Sequence, residues 1–174
     1  MSVTRQKQNI VLTGFMGTGK TTVGRLLAEA LGFDFVDTDG VIEARNGRSI
    51  TTIFSEQGEA AFRQMERDLA QELGQKEGLV ISTGGRMMLD PENVQALAAN
   101  GRIFCLVAAP ENILLRVQND EKVMERPLLK GSNPMAKIIA LLQERWEQYQ
   151  QFPQIMTDNK TPEEVLQTIV DVLI

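Results

Sequence analysis

The stretch VLTGFMGTGKTTVGRLL, residues 11–27, carries the pattern G-x-x-x-x-G-K-[ST] at Gly14, Gly19, Lys20 and Thr21. Upstream, residues 9–13 (NIVLT) are apolar and partly β-branched, which predicts a buried strand. Downstream, Val23, Leu26, Leu27, Ala30 and Leu31 recur at helical spacing on one face, and Gly32 stands where a C-terminal cap belongs. Strand, glycine loop and helix in that order form a cradle for phosphate. Glycines let backbone N–H groups curl round an anion, and the helix N-terminus adds partial positive charge. Gly17, Thr18, Gly19, Lys20, Thr21 and Thr22 are the expected lining. Lys20 is placed to reach the outer phosphates and the Thr21 hydroxyl to ligate Mg²⁺. The expected ligand is a nucleoside triphosphate.

Four more strands are predicted at 33–37, 79–83, 102–108 and 154–158, with helical patterns between them. Asp90 and Pro91 open one helix. Thr161 and Glu164 form a capping box at the start of the last. Alternating β and α predicts a three-layer α/β fold, a five-stranded parallel sheet with helices on both faces, as a single domain over residues 1–174. Two stretches interrupt the rhythm. Residues 38–78 exceed one crossover helix, and residues 119–133 are polar and broken by Pro127 and Gly131. Ligands of such sheets bind beyond the carboxyl ends of the strands. The first stretch is therefore expected to form a substrate-binding insertion and the second a lid.

At 174 residues and 43% hydrophobic content, the chain can bury one real core. A formal charge of −5 argues against a nucleic-acid surface. Histidine is absent, which excludes a His base, a catalytic triad or a His–Cys zinc site and leaves a carboxylate as the expected base. Cys105, in RIFCLV, is expected in the core. The N-terminus is short and polar, and no apolar run approaches the ~18 residues of a membrane helix. The expected setting is the cytoplasm, with no membrane partner.

A GTPase would need N-K-x-D late in the chain, but NKTP (159–162) has Pro162 in place of the Asp. The apolar strands GLVISTGG and IFCLVAAP also lack the terminal Asp of a motor ATPase. The carboxylate must come from elsewhere, and DTD (37–39) is the candidate. Read as extended chain, it places Asp37 and Asp39 on the same side. One would hold the metal's water shell and the other accept a proton from an acceptor hydroxyl. In FRQME, Arg63 and Glu66 lie three apart on one helix. They form either an exposed ion pair or a carboxylate that orients a guanidinium for two-point binding of an acid.

Together these residues resemble the shikimate kinase family over nearly the whole chain. GFMGTGKTTVGRLLA is shared with many kinases. DTD followed by GRSI, IF, GE, FR and E within 47–66 is much more specific, and STGG, ERPLL and LLQERWEQY extend the match. The resemblance implies a small monomeric enzyme of nucleoside-monophosphate-kinase type. It would transfer the ATP γ-phosphate to the 3-hydroxyl of shikimate, on the route to chorismate and the aromatic amino acids. It implies Lys20 on phosphate, Thr21 and Asp37 on Mg²⁺, and Asp39 on the shikimate hydroxyls as base. Arg63 and Arg145 would clamp the shikimate carboxylate, with Glu66 in support, and Gly84 and Gly85 would line the pocket. Arg126 would close over the phosphates from the lid, and Arg116 would stack on adenine. One position departs from the family pattern: Arg86 stands where a third glycine is usual, followed by Met87 and Met88. At a positive φ that arginine would cost about 1 kcal/mol or more. Pointing to solvent, it would change little; facing the pocket, it would add a cation or obstruct entry, leaving a weak enzyme, a kinase for another hydroxy acid such as gluconate, or a nucleotide-binding protein with an impaired acceptor site.

Overall fold

The computed structural model describes residues 7–120 and 131–174. Strand β1 (Asn9–Gly14) is buried along its whole length. It pairs in parallel with β3 (Leu79–Ser82) on one side and β4 (Gly101–Val107) on the other. The short strands β2 (Asp34–Asp37) and β5 (Gln154–Met156) complete an all-parallel sheet of order β2-β3-β1-β4-β5. Two-residue periodicity divides the core. Ile10 and Leu12 of β1 join Val80, Phe104 and Leu106 on one face, whereas Val11 joins Ile81 and Cys105 on the other. Side chains so fully buried stabilise by roughly 1.5–3 kcal/mol each.

On the first face lie α1 (Lys20–Leu31) and the last helix, α8 (Pro162–Leu173), which the Thr161–Glu164 capping box opens as expected. Gly32 caps α1 in the left-handed conformation. The buried stripe of α1 is Val23, Gly24, Leu27 and Ala28 with Leu31 packed beside it, so Val23, Leu27 and Leu31 lie where the spacing put them, whereas Ala30 is exposed and Gly24 and Ala28 join the stripe. Gly24 is the reason. A Cβ there would lie 2.7 Å from the Phe35 ring, so packing turns the bare glycine inward.

The opposite face carries α2 (Thr38–Asn46), α3 (Ile50–Gln57), α4 (Glu59–Gly74), α5 (Pro91–Ala98), α6 (Pro110–Gln118) and α7 (Pro134–Tyr149). The long stretch after β2 is thus three helices in succession. No helix among the described residues is long and apolar enough to cross a membrane.

Candidate active site

The loop between β1 and α1 is held by its own bonds. Lys20 Nζ donates to the carbonyls of Gly14 at 2.7 Å and Phe15 at 2.9 Å, and the buried Thr18 hydroxyl donates to Phe15 O at 2.8 Å. Gly14 has φ 133°, and a Cβ on it would fall 2.3 Å from Leu106 O, so no other residue can sit there without moving β4. Gly19 begins α1 with no side-chain cap. The first-turn N–H groups of α1 are thereby left to whatever anion the loop cradles. Thr21 and Thr22 are exposed at this end, and Thr21 Oγ1 donates to Asp37 Oδ2 at 3.4 Å. Arg116 of α6 ties the loop to the end of the sheet. Its guanidinium donates to Gly17 O at 3.2 Å, Thr157 Oγ1 at 3.0 Å and Thr157 O at 3.1 Å.

The DTD segment differs from its extended reading. Strand β2 stops at Asp37, whose carboxylate accepts from Gly40 N at 3.1 Å and caps α2, and Asp39 lies in the first helical turn. Asp is among the strongest N-caps, and that local bond outcompetes a longer strand. Capping also turns the two carboxylates to different neighbours. Asp37 faces Thr21, while Asp39 faces the turn after β3: a Cβ on Gly84 would lie 2.6 Å from Asp39 Oδ1 and 3.4 Å from Glu66 Oε1. Gly84 N donates to the buried Thr38 hydroxyl at 3.0 Å, which anchors that turn to α2.

Helix α4 supplies the ion pair. Arg63 Nη1 donates to Glu66 Oε2 at 2.7 Å, and the Glu66 side chain is only 2% exposed. The exposed-pair reading is therefore excluded. Burial raises the Glu66 pKa above its ordinary value against the opposing pull of Arg63. Arg145 comes from α7 and is itself 2% exposed, with its guanidinium 5.4 Å from the Phe15 ring centre. Its Nε is buried with no hydrogen-bond partner, and a Cβ on Gly85 would stand 3.4 Å from its Nη1. Four residues on, the Tyr149 hydroxyl donates to Gly85 O at 2.5 Å, and burial pushes the phenol pKa up, so it stays a donor. Asp39, Glu66 and Arg145 thus meet at the Gly84–Gly85 turn, with Arg63 joined to them through Glu66. Arg126 lies outside the described residues.

Comparison with known proteins identifies the family of the chain. The profile of the family described as shikimate kinase matches residues 16–174. A shikimate kinase of Caldicellulosiruptor saccharolyticus is 45% identical over 166 residues, covering 95% of this chain and 95% of its own. The belonging is thereby decided.

The chain belongs to the shikimate kinase family.

A Thermus thermophilus shikimate kinase is 44% identical over 174 residues, covering 99% of this chain and 94% of that one. The solved structure of an Acinetobacter baumannii shikimate kinase in complex with shikimate superposes with a TM-score of 0.87 at 37% identity, over 96% of this chain and 93% of that one. A gluconokinase from Sinorhizobium meliloti, at 17% identity and TM-score 0.58, shares the fold alone.

Against the family pattern, Arg86 takes φ −106° and ψ −5°, which any residue adopts, so its replacement of glycine carries no backbone strain. Its side chain is 46% exposed, and Nη1 lies 3.7 Å from Glu59 Oε1. Met87 and Met88 turn into the core at 0% exposure instead of crowding the cleft. Two residues of the cleft escaped the sequence reading. Glu59 accepts from Arg63 Nε at 3.4 Å and Nη2 at 3.2 Å. Tyr149 pins the glycine turn. Each sits four residues along a helix from a named arginine, so i,i+4 spacing was the available signal.

Proposed function

We propose that this shikimate kinase homologue transfers the γ-phosphoryl group of ATP to the 3-hydroxyl of shikimate. The product is shikimate 3-phosphate, on the route to chorismate and the aromatic amino acids. One observation carries the reading: the Asp39 carboxylate and the buried, partly unpartnered Arg145 guanidinium meet the same two-glycine turn. A hydroxy acid has a hydroxyl for Asp39 and a carboxylate for Arg145. The nucleotide loop opens beside them across the Thr21–Asp37 contact.

In this reading Arg145 and Arg63 receive the substrate carboxylate by charge-assisted hydrogen bonds. Gly84 and Gly85 leave the room in which the ring lies. Asp39 aligns the hydroxyl and accepts its proton as the oxygen bonds to the γ-phosphorus and ADP departs, a transfer in which positioning and charge neutralisation do most of the catalysis. Lys20 and the first-turn amides of α1 hold the phosphates, and Arg116 borders the purine. Thr21 and Asp37 are hard oxygen donors in contact. Two such groups suit Mg²⁺, which completes its shell with water and phosphate oxygens, and the ion would neutralise charge on the transferring group. The working unit in this reading is a monomer, as the family resemblance implies.

A coupled assay of ADP release tests the proposal. Release that depends on shikimate is expected. Release that depends instead on gluconate, or on no acid at all, overturns it.

A further inference from the structure

Arg63 is not free to receive an acid as it stands. Its Nε and Nη2 both donate to one oxygen of Glu59, while Nη1 donates to Glu66. The two carboxylates differ in their freedom. Glu66 is 2% exposed and fixed in the cleft wall, whereas Glu59 is 55% exposed at the first turn of α4. The edge of Arg63 that offers two parallel N–H groups is therefore covered by a carboxylate that can leave. The same Glu59 oxygen lies 3.7 Å from Arg86 Nη1, and the Arg86 side chain is 46% exposed. Arg86 is a second cation, on the solvent side, waiting for the same anion.

We infer that Glu59 is a placeholder for the substrate carboxylate on Arg63, and that Arg86 is the positioning residue that draws it away when the acid arrives. The inference rests on the proposed acceptor reading and adds to it a determinant of affinity for the acid. Without Arg86, Glu59 has only Arg63 to pair with among the described residues, and the incoming carboxylate must displace it into water. With Arg86, the displaced carboxylate exchanges one guanidinium for another. Exposed ion pairs of this kind are weak, so the effect on affinity is about two- to fivefold. Arg86 does not touch the acid itself, and kcat is not its target.

The test is a double-mutant cycle read as KM for shikimate and kcat in wild type, E59Q, R86Q and E59Q/R86Q. R86Q is expected to raise KM about two- to fivefold with kcat little changed. E59Q should lower KM by a similar factor, and R86Q added to E59Q should change nothing further. A rise in KM from R86Q that persists in the E59Q background means that Arg86 contacts the acid directly and overturns the inference. So does a higher KM in E59Q, which would make Glu59 a support for Arg63, and so does an R86Q enzyme with unaltered KM. Both positions are exposed, so the variants fold, and a thermal unfolding scan verifies it. Failure of the acceptor reading shows separately, as wild-type ADP release indifferent to shikimate.

Discussion

Residues 14–21 keep their shape through bonds that scarcely leave the loop: Lys20 to Gly14 and Phe15, Thr18 to Phe15, and α1 beginning at once. The proposed acceptor site has no such contiguity. Asp39 comes from α2, Arg63 and Glu66 from α4, the glycines from the turn after β3, and Arg145 from α7. A binding site made of backbone amides can be written in one short motif, because neighbours in sequence are neighbours in space. A site made of side chains has to be assembled by the packing of helices. Its residue types are informative only once something else says they meet.

If the two regions are separable, changing one should spare the other. The largest effect is expected from Asp39→Ala. Loss of a positioned base typically costs about 10²- to 10⁴-fold in rate, so kcat should fall by that order while the dissociation constant for ATP holds. Equal losses in both, measured by steady-state kinetics and nucleotide titration, would break the division. Arg63→Ala comes next. Charge-assisted hydrogen bonds contribute about 1.5–3 kcal/mol, so KM for shikimate should rise about 10- to 150-fold with KM for ATP unchanged. An unchanged shikimate KM would remove Arg63 from the cleft.

The smallest effect concerns pH. Burial holds the folded-state pKa of Glu66 above its ordinary 4.5. Between 4.5 and that raised value the native protein keeps a proton that the unfolded chain has released, so stability falls as pH rises through the window. Glu66→Gln should remove this slope. Unfolding free energies of the two proteins, compared from below pH 4.5 upward, would then converge at the acid end and diverge above it. Parallel curves would show that Glu66 is not desolvated as its position demands.

Much of the molecule was legible in advance because it depends on local or periodic chemistry. The five strands, the caps at Gly32, Asp90 and Thr161, and the helices between the strands follow from hydrophobic period and side-chain capping. The readings that failed are those where one residue had two local options. Asp37 could continue a strand or cap a helix, and it caps. Gly24 looked neutral in an apolar count, yet it is the point of closest packing of α1 on Phe35.

By itself the sequence determined the parallel α/β sheet, the phosphate loop and, through DTD and FRQME, the residue types of the proposed acceptor site. The reason is that strand burial, glycine geometry and helix spacing act over a few residues at a time. Only the tertiary structure decided that Glu66 is buried and not a surface partner, that Arg145 turns its guanidinium inward onto Phe15, and that Arg86 sits unstrained beside Glu59. Those outcomes depend on which helix faces cover which edge of the sheet. That is settled by the shape of the whole core, which no short stretch of chain contains.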